Sequence, residues 1–111
     1  MIDRLFPVGY TGAMRYEIVS TASFDKWLRG LRDRTTRNKA LARIDRLQNG
    51  NFGDFKSLGD NLFELRLFFG GGLRIYYTIR NHRIVLLLRG GSKSNQSSDI
   101  EKARQMIREL E

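Results

Sequence analysis

Leu62 to Gln96, LFELRLFFGGGLRIYYTIRNHRIVLLLRGGSKSNQ, is the stretch whose pattern decides the fold. Phe63, Leu65, Leu67 and Phe69 alternate with Glu64, Arg66 and Phe68. Leu73, Ile75, Tyr77 and Ile79 alternate with Arg74, Tyr76, Thr78 and Arg80. A period of two marks strands with one face in a core. Ile84 to Leu88 is apolar at every position, as in a strand buried on both faces. The stretch therefore reads as three antiparallel strands joined by two tight turns.

The turns set an expected register. With Gly70-Gly71-Gly72 as a hairpin loop, Phe69 pairs with Leu73, Phe68 with Arg74 and Arg66 with Tyr76. With Asn81-His82 as a two-residue turn, Arg80 pairs with Arg83, Tyr76 with Leu87 and Arg74 with Arg89. Opposed side chains share a face, so Arg66, Arg74, Tyr76 and Arg89 gather on one. Lys93 joins them if the chain stays extended, and Phe68, Val85 and Leu87 fall on the same side. Facing cations repel, so such a cluster costs stability unless a partner supplies negative charge.

Upstream, Met1 to Ala13 has no clear period and reads as an irregular extension over residues 1–14, with Met14 a candidate natural start. Residues 15–111 then form one domain. Arg15 to Ser20 reads as a strand, and Thr21 or Ser23 caps a helix with Phe24, Trp27, Leu28 and Leu31 on its apolar face. Trp27 fits that core stripe better than a base-stacking role. A second helix, Arg37 to Gln48, buries Ala40, Leu41, Ile44 and Leu47 and ends at Asn49-Gly50. Its other face carries Arg37, Lys39, Arg43 and Arg46, either a solvated surface or a ridge that tracks phosphates. Lys56 to Leu58 suggests a short edge strand. Downstream, Ser98-Asp99-Ile100-Glu101 reads as a capping box opening a last helix with Ile100, Ala103, Ile107 and Leu110 inward. The expected class is α+β: two N-terminal helices packed on a small antiparallel sheet, with a C-terminal helix. The face bearing Arg66, Arg74 and Arg89 is expected to stay at least partly open.

The 111 residues suit one core, and the absence of cysteine excludes disulfides and thiolate metal sites. A single histidine argues against catalytic zinc. No apolar run approaches the ~20 residues of a membrane span, and Met1 to Met14 lacks the apolar core of a secretory signal. A cytoplasmic protein without cofactor or metal is expected. The net charge of +8 favours a polyanionic partner. Ser23 to Gly50 holds eight Lys/Arg against three Asp/Glu, and Lys56 to Lys93 seven against two. The positive field thus belongs to the helices and sheet rather than to a tail.

No Ser-His-Asp pattern, metal spacing or dinucleotide fingerprint is present, and Gly90-Gly91-Ser92-Lys93-Ser94 lacks the spacing of a phosphate loop. Arginine, lysine, tyrosine and amide side chains together suit metal-free phosphodiester chemistry. When an RNA 2′-hydroxyl attacks its phosphate, charge builds on the non-bridging oxygens, and guanidinium forks stabilise it. A lysine crowded by arginines loses its proton more readily and can serve as acid or base. Arg74, Lys93 and Arg66 are therefore the catalytic candidates. Arg89, Tyr76, Lys56, Gln96, Arg43 and Arg46 are candidates for RNA contact. His82 sits in the turn at the far end of the strands.

FDKWLRGLRDR, ALARIDRLQNGNFGDFKSLGDNLFELR, FGGGLRIYY and LLLRGGSKSNQSSDIEKA, spanning about Arg15 to Leu110, resemble the RelE/ParE superfamily of type II toxin–antitoxin toxins. The nearer likeness is to the HigB-like killer proteins and the phage-derived Gp49-like group. The resemblance implies a RelE-like fold and an endonuclease that cuts mRNA on the ribosome, with contacts to the small subunit and its rRNA. Arg74 in GLRIYY then matches the arginine used on the scissile phosphate. Arg66 in ELR and Lys93 in GGSKS match basic positions of the family, whereas the position of RelE's helix tyrosine falls near Asp99. The resemblance also implies a cognate helix-turn-helix antitoxin covering the apolar and basic groups of the open face. ParE members poison DNA gyrase without cutting RNA, and a degenerate, non-toxic regulator is a third reading.

Overall fold

A computed structural model describes residues 15–110; the expectations for residues 1–14 fall outside them. The order is β1 (Glu17–Ser20), α1 (Ala22–Arg29), α2 (Arg34–Gln48), β2 (Phe55–Gly59), β3 (Leu62–Arg66), β4 (Arg74–Arg80), β5 (Ile84–Gly91) and α3 (Gln96–Leu110). Thr21 caps α1: its hydroxyl accepts from the Phe24 N–H at 3.0 Å and donates to the Leu88 carbonyl at 2.7 Å. One side chain thus starts the helix and pins it to β5. α2 begins at Arg34, earlier than its apolar stripe suggests, behind Asp33. The carbonyl of Gln48, at its other end, accepts from the N–H groups of Arg15 and Tyr16.

The class is α+β as expected, but the sheet is larger and mixed. Its five strands run in the order β1-β5-β4-β3-β2. β2 to β5 form an antiparallel meander, and β1 lies parallel to β5. A parallel neighbour needs a long crossover, which α1, α2 and the meander supply. β5 therefore has a strand on each side and a helical layer on each face, which explains its apolar run.

Both expected registers are corrected. At the glycine loop Arg66 pairs with Arg74 and Glu64 with Tyr76. The strands separate early, because Gly70, Gly71 and Gly72 all take positive φ and make a wider loop closed by Leu67 N–H to Leu73 C=O at 2.9 Å. This two-residue slip leaves every side chain on its expected face. The second turn takes in Arg83 as well as Asn81 and His82, so Arg80 pairs with Ile84. A one-residue slip reverses faces. Val85 and Leu87 accordingly lie in the core beneath α1 and α2, not on the basic side. The register then shifts again between Tyr76 and Tyr77: Leu87 opposes Tyr77 and Arg89 opposes Tyr76. Leu88 is the extra residue of a β-bulge, and it returns Arg89 to the face of Arg74.

Two apolar layers result. Phe24, Leu28, Ala40, Ile44 and Leu47 of the N-terminal helices pack on Ile18, Leu65, Ile75, Tyr77, Val85 and Leu87, with Trp27 half-buried against them. On the opposite face Ala103 and Ile107 of α3 cover Leu62, Tyr76, Leu86 and Leu88. The face expected to be open is therefore closed over much of its area. The capping box is not used either. A 3₁₀ turn at Lys93–Asn95 runs straight into α3, placing Ser98 inside the helix. No helix among the described residues is long and apolar enough to cross a membrane.

Candidate anion-binding site

The basic residues meet where α3 begins. Arg66 and Arg74 are directly opposed on β3 and β4, and Arg89 follows on β5. A Cβ placed on Gly72 would lie 3.6 Å from both Arg74 Nη1 and Lys93 Cβ, so the glycine loop brings these two together. Lys56 lies across β2–β3 from Glu64, on the same face. Gln96 enters from the first turn of α3.

Glu64, with its side chain fully buried, stands at the centre of these groups. Its Oε1 accepts from Arg66 Nε at 3.1 Å, and its Oε2 from Gln96 Nε2 at 2.7 Å. Arg74 Nε lies 3.6 Å from Oε2, and Arg74 Nη1 donates to the Gly72 carbonyl at 2.8 Å. Beside them Asp99 Oδ1 accepts from Arg89. The cations expected to need an outside counter-charge are thus partly neutralised within the chain, which corrects the expectation of an uncompensated cluster. Glu64 was legible as a neighbour of Arg66 on one strand face. Asp99 was not, because its approach depends on how α3 enters. Five cations against two carboxylates still leave the patch positive. Lys93 is exposed and forms no ion pair among the described residues.

Other candidates lie elsewhere or serve otherwise. Tyr76 is fully buried beneath α3, which removes it as a stacking surface. Burial, and next the charges of Glu64 and Asp99, push its hydroxyl above the ordinary tyrosine range. Arg43 and Arg46 belong to α2, on the opposite layer. Arg43 donates to the carbonyls of Arg66 at 3.1 Å and Phe52 at 3.3 Å, so it is a tie between helix and sheet. Burial, with the charge of Arg46, lowers its pKa. Arg46 is exposed, and His82 is exposed at φ 58° in the turn. No group of three or more His, Asp or Glu among the described residues could hold a metal ion.

A five-stranded mixed sheet between a helical pair and a single helix, with a basic patch where β3, β4, β5 and α3 converge, defines a small α+β protein suited to anions. A model of the phage-derived Gp49-like proteins (DUF891) matches residues 26–108, and the chain belongs to that family, which is generally associated with toxin–antitoxin modules. An uncharacterized protein of Haemophilus influenzae is 46% identical over 97 residues, covering 87% of this chain and 98% of the relative.

Proposed function

We propose that this chain is the toxin of a type II toxin–antitoxin pair of the RelE/ParE superfamily, cutting mRNA on the ribosome and silenced by a cognate antitoxin. The observation that carries this is the meeting of Arg66 and Arg74, across β3 and β4, with the exposed Lys93 beside the glycine loop. The terminal nitrogens of Arg66, and Nη2 of Arg74, have no acceptor among the described residues. In this reading they hold the scissile phosphate and the charge that builds on it. Removing one such donor costs on the order of 3–4 kcal/mol of transition-state stabilisation. In the same reading Lys93 is the proton-transfer group. Arg89, held by Asp99, and Lys56 at the rim add to the field that gathers RNA.

Family membership supports the antitoxin partner. An acidic segment of it would neutralise the same patch. The test is induction of the chain without antitoxin, with mapping of mRNA 5′ ends. Cuts within translated codons are expected, lost in Arg74→Ala and Lys93→Ala. Growth arrest with intact messages and impaired supercoiling would move the chain to the gyrase-poisoning class. Harmless expression would make it a regulator.

A further inference from the structure

We infer that Glu64 is a positioning residue for phosphate recognition: its buried carboxylate orients the guanidinium of Arg66 by a hydrogen bond and that of Arg74 by charge, leaving the terminal nitrogens of Arg66 and Nη2 of Arg74 for the ligand. This rests on the reading of the patch as the RNA site.

A patch built only to attract polyanions gains nothing from a carboxylate at its centre, because each negative charge weakens the field. A position serving packing alone would hold an apolar side chain, as the neighbouring Leu62 and Leu86 do on this face. Glu64 is instead fully buried, a costly place for a charge unless it is well paired. It is held from three elements: Arg66 of β3 at 3.1 Å, Arg74 of β4 at 3.6 Å and Gln96 of α3 at 2.7 Å. Both of its oxygens are engaged. Arg66 donates to it through Nε, whereas Arg74 Nε stands at ion-pair distance and Arg74 Nη1 is taken by the Gly72 carbonyl; the two Nη atoms of Arg66 and Nη2 of Arg74 stay uncommitted. Lys56 faces it across β2–β3 and Tyr76 across β3–β4.

Two consequences of opposite sign follow. Removing the charge raises the net charge of the patch by one and tightens ground-state binding of RNA. It also loosens the Arg66 guanidinium and leaves Arg74 held only at the Gly72 carbonyl, which slows the reaction. Loss of structure alone would lower both.

The experiment uses the full chain with Glu64→Gln and Gln96→Ala. Affinity is measured with a 2′-O-methyl RNA oligomer that cannot be cut, and rate by cleavage on translating ribosomes. The arginine Nε–H signals are followed by NMR. Glu64→Gln is expected to bind about threefold tighter. It is expected to cut at least about tenfold more slowly, as misplaced groups do. The Nε–H signal of Arg66, hydrogen-bonded to the carboxylate, should lose its protection, and that of Arg74, beside the carboxylate, should shift. Gln96→Ala, which removes no charge, should leave affinity unchanged and slow cleavage by less. Cleavage by Glu64→Gln at the wild-type rate, or unchanged Nε–H signals, overturns the inference. If the wild type cuts no RNA, the parent reading falls. Glu64 is then judged by the other two arms: tighter binding with altered signals keeps it, and unchanged signals reject it. If Glu64→Gln does not fold, Gln96→Ala decides, and a wild-type cleavage rate there rejects it.

Discussion

Asp99 of α3 grips Arg89 of β5, its Oδ1 lying 3.1 Å from both Nε and Nη2 of the guanidinium. The pair joins the bulged strand to the first turn of the last helix, where a negative charge is also favoured by the helix dipole. Breaking a fully buried pair costs roughly 3–5 kcal/mol. Arg89 keeps 23% of its side chain exposed and can turn toward water, so the loss is smaller here. Asp99→Ala is expected to lower stability by about 2 kcal/mol in urea unfolding. Amide exchange should rise first along α3.

Two glycines on β5 are expected to be irreplaceable for reasons of space. A Cβ on Gly90 would enter the indole of Trp27, and one on Gly91 would enter the carboxylate of Asp99. Overpacking a fitted site costs about 1–3 kcal/mol or more. Gly90→Ala should fall at the upper end, because a ring half-buried against the core has little room to shift. Gly71 is the contrast: a Cβ there meets nothing, and only its φ of 80° resists alanine. Gly71→Ala should cost about 1 kcal/mol. Thermal melts of the variants would reveal the ordering, and equal losses would refute it.

Tyr76 and Tyr77 make stability fall in alkali. Their hydroxyls are buried without hydrogen-bond partners, and burial above all pushes both well above the ordinary value of 10.0. An unfolded tyrosine ionises near pH 10, whereas the folded pair stays protonated there. Their contribution is therefore complete below pH 10 and lost as pH rises above it, by up to about 1.4 kcal/mol per group per pH unit. Tyr77→Phe should flatten that decline. At neutral pH it should be neutral or stabilising by up to about 1 kcal/mol, since a buried hydroxyl without a partner is removed. Urea titrations at pH 7 and pH 10.5 (about half a unit into the window) would test both halves.

Much of this arrangement was legible in local patterns, and the rest depended on distances that patterns do not carry. Alternation placed Arg66 and Arg74 on one face, because a two-residue error in the glycine loop preserves faces. Arg89 reached the same face by compensation: the longer Asn81–Arg83 turn reversed β5, and the Leu88 bulge reversed it again. Neither leaves a mark in the sequence. β1 looked like any short strand, and only the crossover through α1 and α2 makes it parallel to β5. The role of Glu64 was hidden because a carboxylate beside arginines reads as surface charge until its burial is known.

Lys93 and Arg43 should part ways under mutation, although both are basic and both were site candidates, Lys93 as a catalytic group and Arg43 for RNA contact. Arg43 spends its guanidinium on the carbonyls of Arg66 and Phe52, on the helix side of the sheet. Arg43→Ala strands those acceptors and should cost about 1–2 kcal/mol of stability. Lys93 is exposed and unpaired among the described residues, so Lys93→Ala should leave stability within about 0.5 kcal/mol. RNA binding should show the reverse. Each phosphate neutralised on a single strand contributes about −0.7 to the slope of log affinity against log salt. Lys93→Ala should therefore flatten the slope by about 0.7, and Arg43→Ala should leave it unchanged. Melting curves beside a salt titration of oligonucleotide binding separate the two. A flattened slope for Arg43→Ala would move the RNA path to the α2 layer and away from the face of Glu64.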